Sequence, residues 1–199
     1  MRKIATLVLI ALCAAGPAAW SAPLSTEEAL KDRILGDPNA GVTIIEYASM
    51  TCPHCATFHT DTLPELKRKY IDSGKVNLIM RDFPFDRVGL AAAMMARCAP
   101  AERYHRFLDV LFETQEQWAS ASDPVSELKR IGQLGGLAPA DFDACLGNEE
   151  LMNGIIQGRL DAVNEFDINS TPTFIIGDRV INGAQPFEAF DEVLQGMTD

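Results

Sequence analysis

Val42-Thr43-Ile44-Ile45-Glu46-Tyr47, a short loop, and then Cys52-Pro53-His54-Cys55 form the stretch on which the reading of this chain turns. The first six residues are short, β-branched and apolar, which predicts a buried strand. Behind the cysteines, Ala56 to Ile71 is helical in pattern, with Pro64 expected to kink it. A Cys-x-x-Cys pair between a strand and a helix puts its first cysteine at the helix N-terminus. There, free backbone N–H groups and the positive end of the helix dipole stabilise a thiolate. Pro53 suits the first helical position, where its missing N–H costs nothing. His54 adds a polar neighbour that becomes cationic on protonation. Cys52 is therefore read as the nucleophile and Cys55, one turn in, as its buried resolving partner.

Other uses of the motif fit less well. Haem attachment needs His directly after the second cysteine, and Ala56 stands there. Zinc would draw on Cys52, Cys55 and His59, but no second Cys-x-x-Cys or paired His completes the set. No metal and no cofactor are expected. His59 and His105 are read as helix-surface residues. Glu46 lies inside an otherwise apolar strand, six residues before Cys52. It is either a carboxylate facing solvent or a buried acid with raised pKa that moves a proton for Cys55; the apolar neighbours Ile44 and Ile45 favour the second reading.

Further out, Val76 to Asp82 reads as a second buried strand, parallel to the first if the helix is a crossover. From Gly89 to Phe166 the pattern is helical throughout, at about Leu90–Cys98, Glu102–Glu116, Val125–Leu134, Pro139–Leu146 and Glu149–Glu165. Thr173–Ile176 and Arg179–Ile181 then form a strand pair around Gly177-Asp178. A final helix, Pro186–Leu194, carries Phe187, Phe190 and Leu194 on one face. The order β-α-β, helical block, β-β-α predicts an α/β fold split by an all-helical insertion. Its parts are a lead-in (22–41), a first half (42–88), the insertion (89–166) and a second half (167–199). Thr171-Pro172 opens the third strand. A proline there can be cis, leaving the preceding peptide group free for an extended polypeptide.

The N-terminus is read as a signal peptide, residues 1–21. Arg2 and Lys3 precede the apolar run Ile4–Ala15, Gly16-Pro17 breaks it, and Ala19-Trp20-Ser21 offers small residues at the cleavage positions. That run is shorter than the roughly 20 residues a membrane-spanning helix needs. Export to an oxidising compartment follows, and cleavage after Ser21 would leave Cys52, Cys55, Cys98 and Cys145. The net charge is −11 over the whole chain. So acidic a chain is a poor partner for nucleic acid or an anionic membrane.

Glu46, Thr51-Cys52-Pro53-His54-Cys55, the helical insertion and Thr171-Pro172 together resemble the DsbA-type thiol:disulfide oxidoreductases of the thioredoxin fold. The resemblance runs from about Leu35 to the C-terminus. It implies Cys52 as nucleophile, Cys55 as resolving cysteine, Pro53 and His54 as the dipeptide of strong oxidases, and Glu46 as proton relay. It also implies that Thr171 and a cis Pro172 touch substrate. Thr171 departs from the Val familiar in the best-known oxidases and is itself more familiar in disulfide isomerases. Cys98 and Cys145 then remain to pair as an inert staple. The implied function is oxidation of folding exported proteins in the periplasm by a monomer, recharged by a quinone-linked membrane partner of the DsbB kind. An isomerase or reductase using the same site is the first alternative. Known isomerases of this fold carry an N-terminal dimerisation module, and the roughly 20 residues between Ser21 and the first strand leave no room for one. A zinc- or peptide-binding module without turnover is the second alternative.

Overall fold

The computed structural model describes residues 25–198. The signal-peptide reading lies outside the described residues. Five strands form one sheet in the order β1-β3-β2-β4-β5: β1 Ile34–Leu35, β2 Val42–Ala48, β3 Val76–Asp82, β4 Thr173–Ile176 and β5 Arg179–Asn182. β2 and β3 are parallel, with Glu46 beside Met80, and β4 runs antiparallel to β2, with Phe174 on the other side of Glu46. The expected α/β fold with its helical insertion is the one observed.

Side chains alternate across β2, as a strand buried on both faces requires. Ile44 and Ala48 join Leu78, Met80, Phe174 and Ile176 in the main core, while Tyr47 turns to the opposite face with Phe83, Ala162 and Ile168. On the main face Phe58, Phe174 and Phe190 pack as a trio with ring centroids 4.4–5.5 Å apart. Each such ring contributes about 1.5–3 kcal/mol through burial.

Helix α1, Thr26–Leu30, precedes the sheet and α2, Pro53–Thr57, begins at the cysteine motif. α2 is continued by a wide i→i+5 turn at Phe58–Thr62, by α3 (Leu63–Leu66) and by a second wide turn at Lys67–Ile71. The expected kink at Pro64 is thus replaced by an extra residue taken into the turn before it. Pro64 has no N–H to give to the preceding turn, so a wider turn costs little there.

The insertion holds α4 Arg87–Cys98, α5 Tyr104–Glu113, α6 Gln115–Ala119, α7 Pro124–Leu134, α8 Pro139–Leu146 and α9 Glu149–Phe166; α10, Phe187–Thr198, closes the chain. The single helix expected over Glu102–Glu116 is a short 3₁₀ turn at Ala101–Arg103 followed by α5 and α6, broken at Thr114. The Thr114 hydroxyl donates to the Val110 carbonyl at 2.6 Å, the local competition that bends helices at Ser and Thr. Cys98 and Cys145 form a disulfide that joins α4 to α8 across 47 residues of sequence.

The lead-in carries regular structure of its own. Ser25 caps α1 by accepting from the Glu28 N–H, and β1 pairs antiparallel with β3. Arg97 of α4, in a buried ion pair with Asp82, donates to the Ala29 and Lys31 carbonyls at 3.1 Å and so ties lead-in, sheet and insertion together. Among the described residues no helix is long and apolar enough to cross a membrane.

Candidate active site

Cys52 is the N-cap residue of α2 and Pro53 its first helical residue, as the motif predicted. The Cys52 N–H donates to the Ser49 carbonyl, which closes the turn between β2 and the helix. Cys52 is partly buried and Cys55 fully buried; both are free thiols. Pro53 and His54 are exposed beside them.

The two sulfurs are electrostatically unlike. A hydrogen bond from the Cys55 thiol leads in lowering the Cys52 pKa from its ordinary 9.0 to about 5. Partial burial opposes this, and the backbone N–H groups of Cys55 and His54 assist it. Burial leads in pushing the Cys55 thiol far up, joined by its hydrogen bond to Cys52 and by the nearby Glu46 charge. At neutral pH the outer sulfur is a thiolate and the inner one a thiol.

Thr171-Pro172 is a cis peptide, and the Thr171 carbonyl oxygen lies 3.4 Å from Cys52 Sγ. The fold therefore brings together two segments that are 119 residues apart in sequence. Glu46 sits beneath, fully buried at 0% exposure. Of its two sequence readings, the solvent-facing one is excluded. His59 Nε2 stands 3.0 and 3.2 Å from the two Glu46 carboxylate oxygens.

His59 corrects the sequence reading: its side chain is 5% exposed, not a surface group. Its spacing held the signal. It stands four residues after the buried Cys55, hence on the same inward face of the helix. His105 likewise has a buried Nε2, and burial lowers its pKa.

Three further residues support the loop, and of these only Thr51 belongs to the quoted motif. Gln115 donates to the Met50 and Cys52 carbonyls at 2.8 and 3.0 Å. The Thr51 hydroxyl donates to Asp86, whose other oxygen caps α4 by accepting from the Gly89 N–H. Among the described residues no group of three or more His, Cys, Asp or Glu is placed to hold a metal ion.

A family profile described as "Thioredoxin" matches residues 28–196. The chain belongs to the thioredoxin family, and within it the chain is DsbA-like. It is 34% identical over 155 residues to a Rickettsia felis protein named as a protein-disulfide oxidoreductase, a match covering 77% of this chain and 54% of that one. The chain thus spans about half the length of the Rickettsia relatives it matches. Disulfide bond formation protein D of Bacillus subtilis is 25% identical over 173 residues, covering 81% and 75%. The crystal structure of Wolbachia pipientis alpha-DsbA1 superposes with a TM-score of 0.78 at 34% identity, covering 84% of this chain and 91% of that one.

Proposed function

We propose that this protein is an exported thiol:disulfide oxidoreductase that introduces disulfides into folding proteins by exchange at Cys52 and Cys55. One observation carries the reading: a thiolate-stabilised, accessible Cys52 beside a buried Cys55 held as a thiol. A substrate thiolate attacks Cys52 Sγ of the Cys52–Cys55 disulfide, and Cys55 leaves, taking a proton from Glu46. A second substrate thiolate then attacks the substrate sulfur of the mixed disulfide, and Cys52 departs as a stable thiolate. The substrate loses two electrons and two thiol protons, and the protein gains the electrons as its dithiol. Pro53 and His54 border the reacting sulfur, and Thr171 and Pro172 offer the edge where an extended substrate chain lies.

The apolar leader supports a periplasmic site of action, and a quinone-linked membrane oxidant of the DsbB kind would restore the disulfide. Thr171, where the best-known oxidases carry Val, favours a second reading as isomerase or reductase. Equilibration with glutathione buffers separates the two. An oxidase should sit well above the roughly −270 mV of thioredoxin, toward the strongly oxidising end of the family near −120 mV. A potential at the thioredoxin end would overturn the oxidase reading.

A further inference from the structure

The buried acid beneath the cysteines does not stand alone. Glu46 is held by His59 Nε2, and both side chains are nearly sealed from solvent, at 0% and 5% exposure. The imidazole stacks on Phe112 of α5, centroids 4.0 Å apart, with the Phe58 ring edge-on at 5.5 Å. Its other nitrogen, Nδ1, is buried and makes no hydrogen bond to the protein. A buried ring nitrogen without a partner is uncommon and calls for a reason.

The surrounding charges show which way is out. From α2, Cys55 feels the Glu46 charge. From α5, Tyr104 is buried and feels Glu46, Asp82, Arg97 and Arg33, and His105 feels His59 and Arg33. Asp109, one further turn along α5, is exposed at the surface and feels His59 together with Glu113, Arg106 and Lys67. Glu46, His59 and Asp109 thus run from the fully buried to the exposed.

We infer that His59 is the proton-relay residue that connects the buried Glu46 carboxyl to solvent on the Asp109 side of α5. The inference rests on the exchange reading above and adds to it the path of the proton. When Cys55 leaves as a thiolate it takes the proton of the Glu46 carboxyl. The Glu46 carboxylate then takes the Nε2 proton of His59, while Nδ1 receives one from solvent. During reoxidation the direction reverses: Cys55 gives its proton to Glu46, and one proton leaves through the ring. Imidazole suits the position because either nitrogen can carry the proton. A lysine there would hold Glu46 as a fixed anion and pass nothing on.

His59→Gln tests this, since the amide keeps an N–H for Glu46 but cannot relay. The readout is the stopped-flow rate at which reduced glutathione opens the Cys52–Cys55 disulfide, from pH 5 to 8. The variant should be slower by roughly 100-fold at pH 7, the lower end of what general acid–base assistance contributes, with an altered pH profile. The pH midpoint of Cys52 alkylation should stay where it is, which a merely structural role would not ensure. Glu46→Gln should also be slow, and adding His59→Gln to it should cost nothing more, because the two act in series. A wild-type rate and profile in His59→Gln, or losses that add in full, would overturn the relay. Should His59→Gln not fold, the exposed Asp109→Asn decides: a several-fold slowing with a shifted profile supports the path, and no change overturns it. Wild-type protein that fails to react with glutathione would overturn the oxidoreductase reading and the relay with it. An active wild type with an unaffected His59→Gln overturns the relay alone.

Discussion

Gln115 of α6 donates its side-chain amide to the Cys52 carbonyl at 3.0 Å and, with the same nitrogen, to the Met50 carbonyl at 2.8 Å. The insertion is thereby fastened to the loop that presents Cys52. The Cys52 carbonyl keeps the N–H groups of Cys55 and Ala56, but the buried Met50 carbonyl would lose its donor where water does not easily replace it. Gln115→Leu should cost about 1–3 kcal/mol, the range for unsatisfied buried polar groups. Urea unfolding of the variant measures it, and an unchanged midpoint would show the contact to be incidental.

Alkylation should separate the two thiols. With Cys52 lowered to about 5 and Cys55 pushed far up, iodoacetamide should label Cys52 along a single titration with its midpoint near 5. Peptide mass mapping should find Cys55 unmodified at neutral pH. Equal labelling of both would refute the assignment of nucleophile and resolving cysteine.

The same shift predicts that the reduced protein gains stability relative to the oxidised one as pH rises from about 5 toward 9. A depressed folded-state pKa contributes stability that is full above the ordinary 9.0 and is lost as pH falls to about 5. At pH 7 the contribution is about 1–2 kcal/mol once the partly exposed position of Cys52 is allowed for. The raised Cys55 pKa has the opposite sign, but acts only above its ordinary value, where an unfolded chain would ionise and the folded one would not. The urea midpoint of the reduced form should therefore rise relative to that of the oxidised form between pH 5 and pH 8, and the difference should level off below pH 5. A gap between the two forms that does not change from pH 4 to pH 8 would contradict the thiolate stabilisation.

The Cys98–Cys145 bridge should carry stability and no chemistry. It closes 47 residues of sequence, which in the chain-entropy model is worth about 4 kcal/mol. Cys98→Ala combined with Cys145→Ala should lose about that much in urea unfolding and leave the alkylation midpoint of Cys52 unchanged. A displaced midpoint in the folded double variant would mean that the bridge also positions the site.

Much of the fold was legible because its signals are local. The β-branched run Val42–Tyr47, the apolar run Val76–Asp82 and the capped helices announce themselves within a few residues, and their order already implies the split by an insertion. β1 and α1 escaped because so short a strand has no periodicity to read. Ile34–Leu35 is a strand only because the edge of β3 offers it backbone partners.

Within the site the same division holds. Cys52, Cys55, Pro53 and the thiolate-stabilising position at a helix N-terminus follow from residue types and spacing, because a helix start organises its own first turn. The neighbours of Glu46 and Cys52 were decided only by tertiary structure. Glu46 could have faced either way until the helix covered it, and His59 reads as an ordinary polar residue until Phe112 of α5 closes over it. Gln115 and Thr171 reach the nucleophile across 63 and 119 residues of sequence, distances at which no local pattern survives. The sequence by itself determined where Cys52 and Cys55 sit, at the start of a helix and one turn in, because a helix end organises its own first turn. Which groups surround the two cysteines was decided by long-range packing, which brings Gln115 and Thr171 to Cys52 from distant parts of the chain and closes Phe112 over His59 beside Glu46.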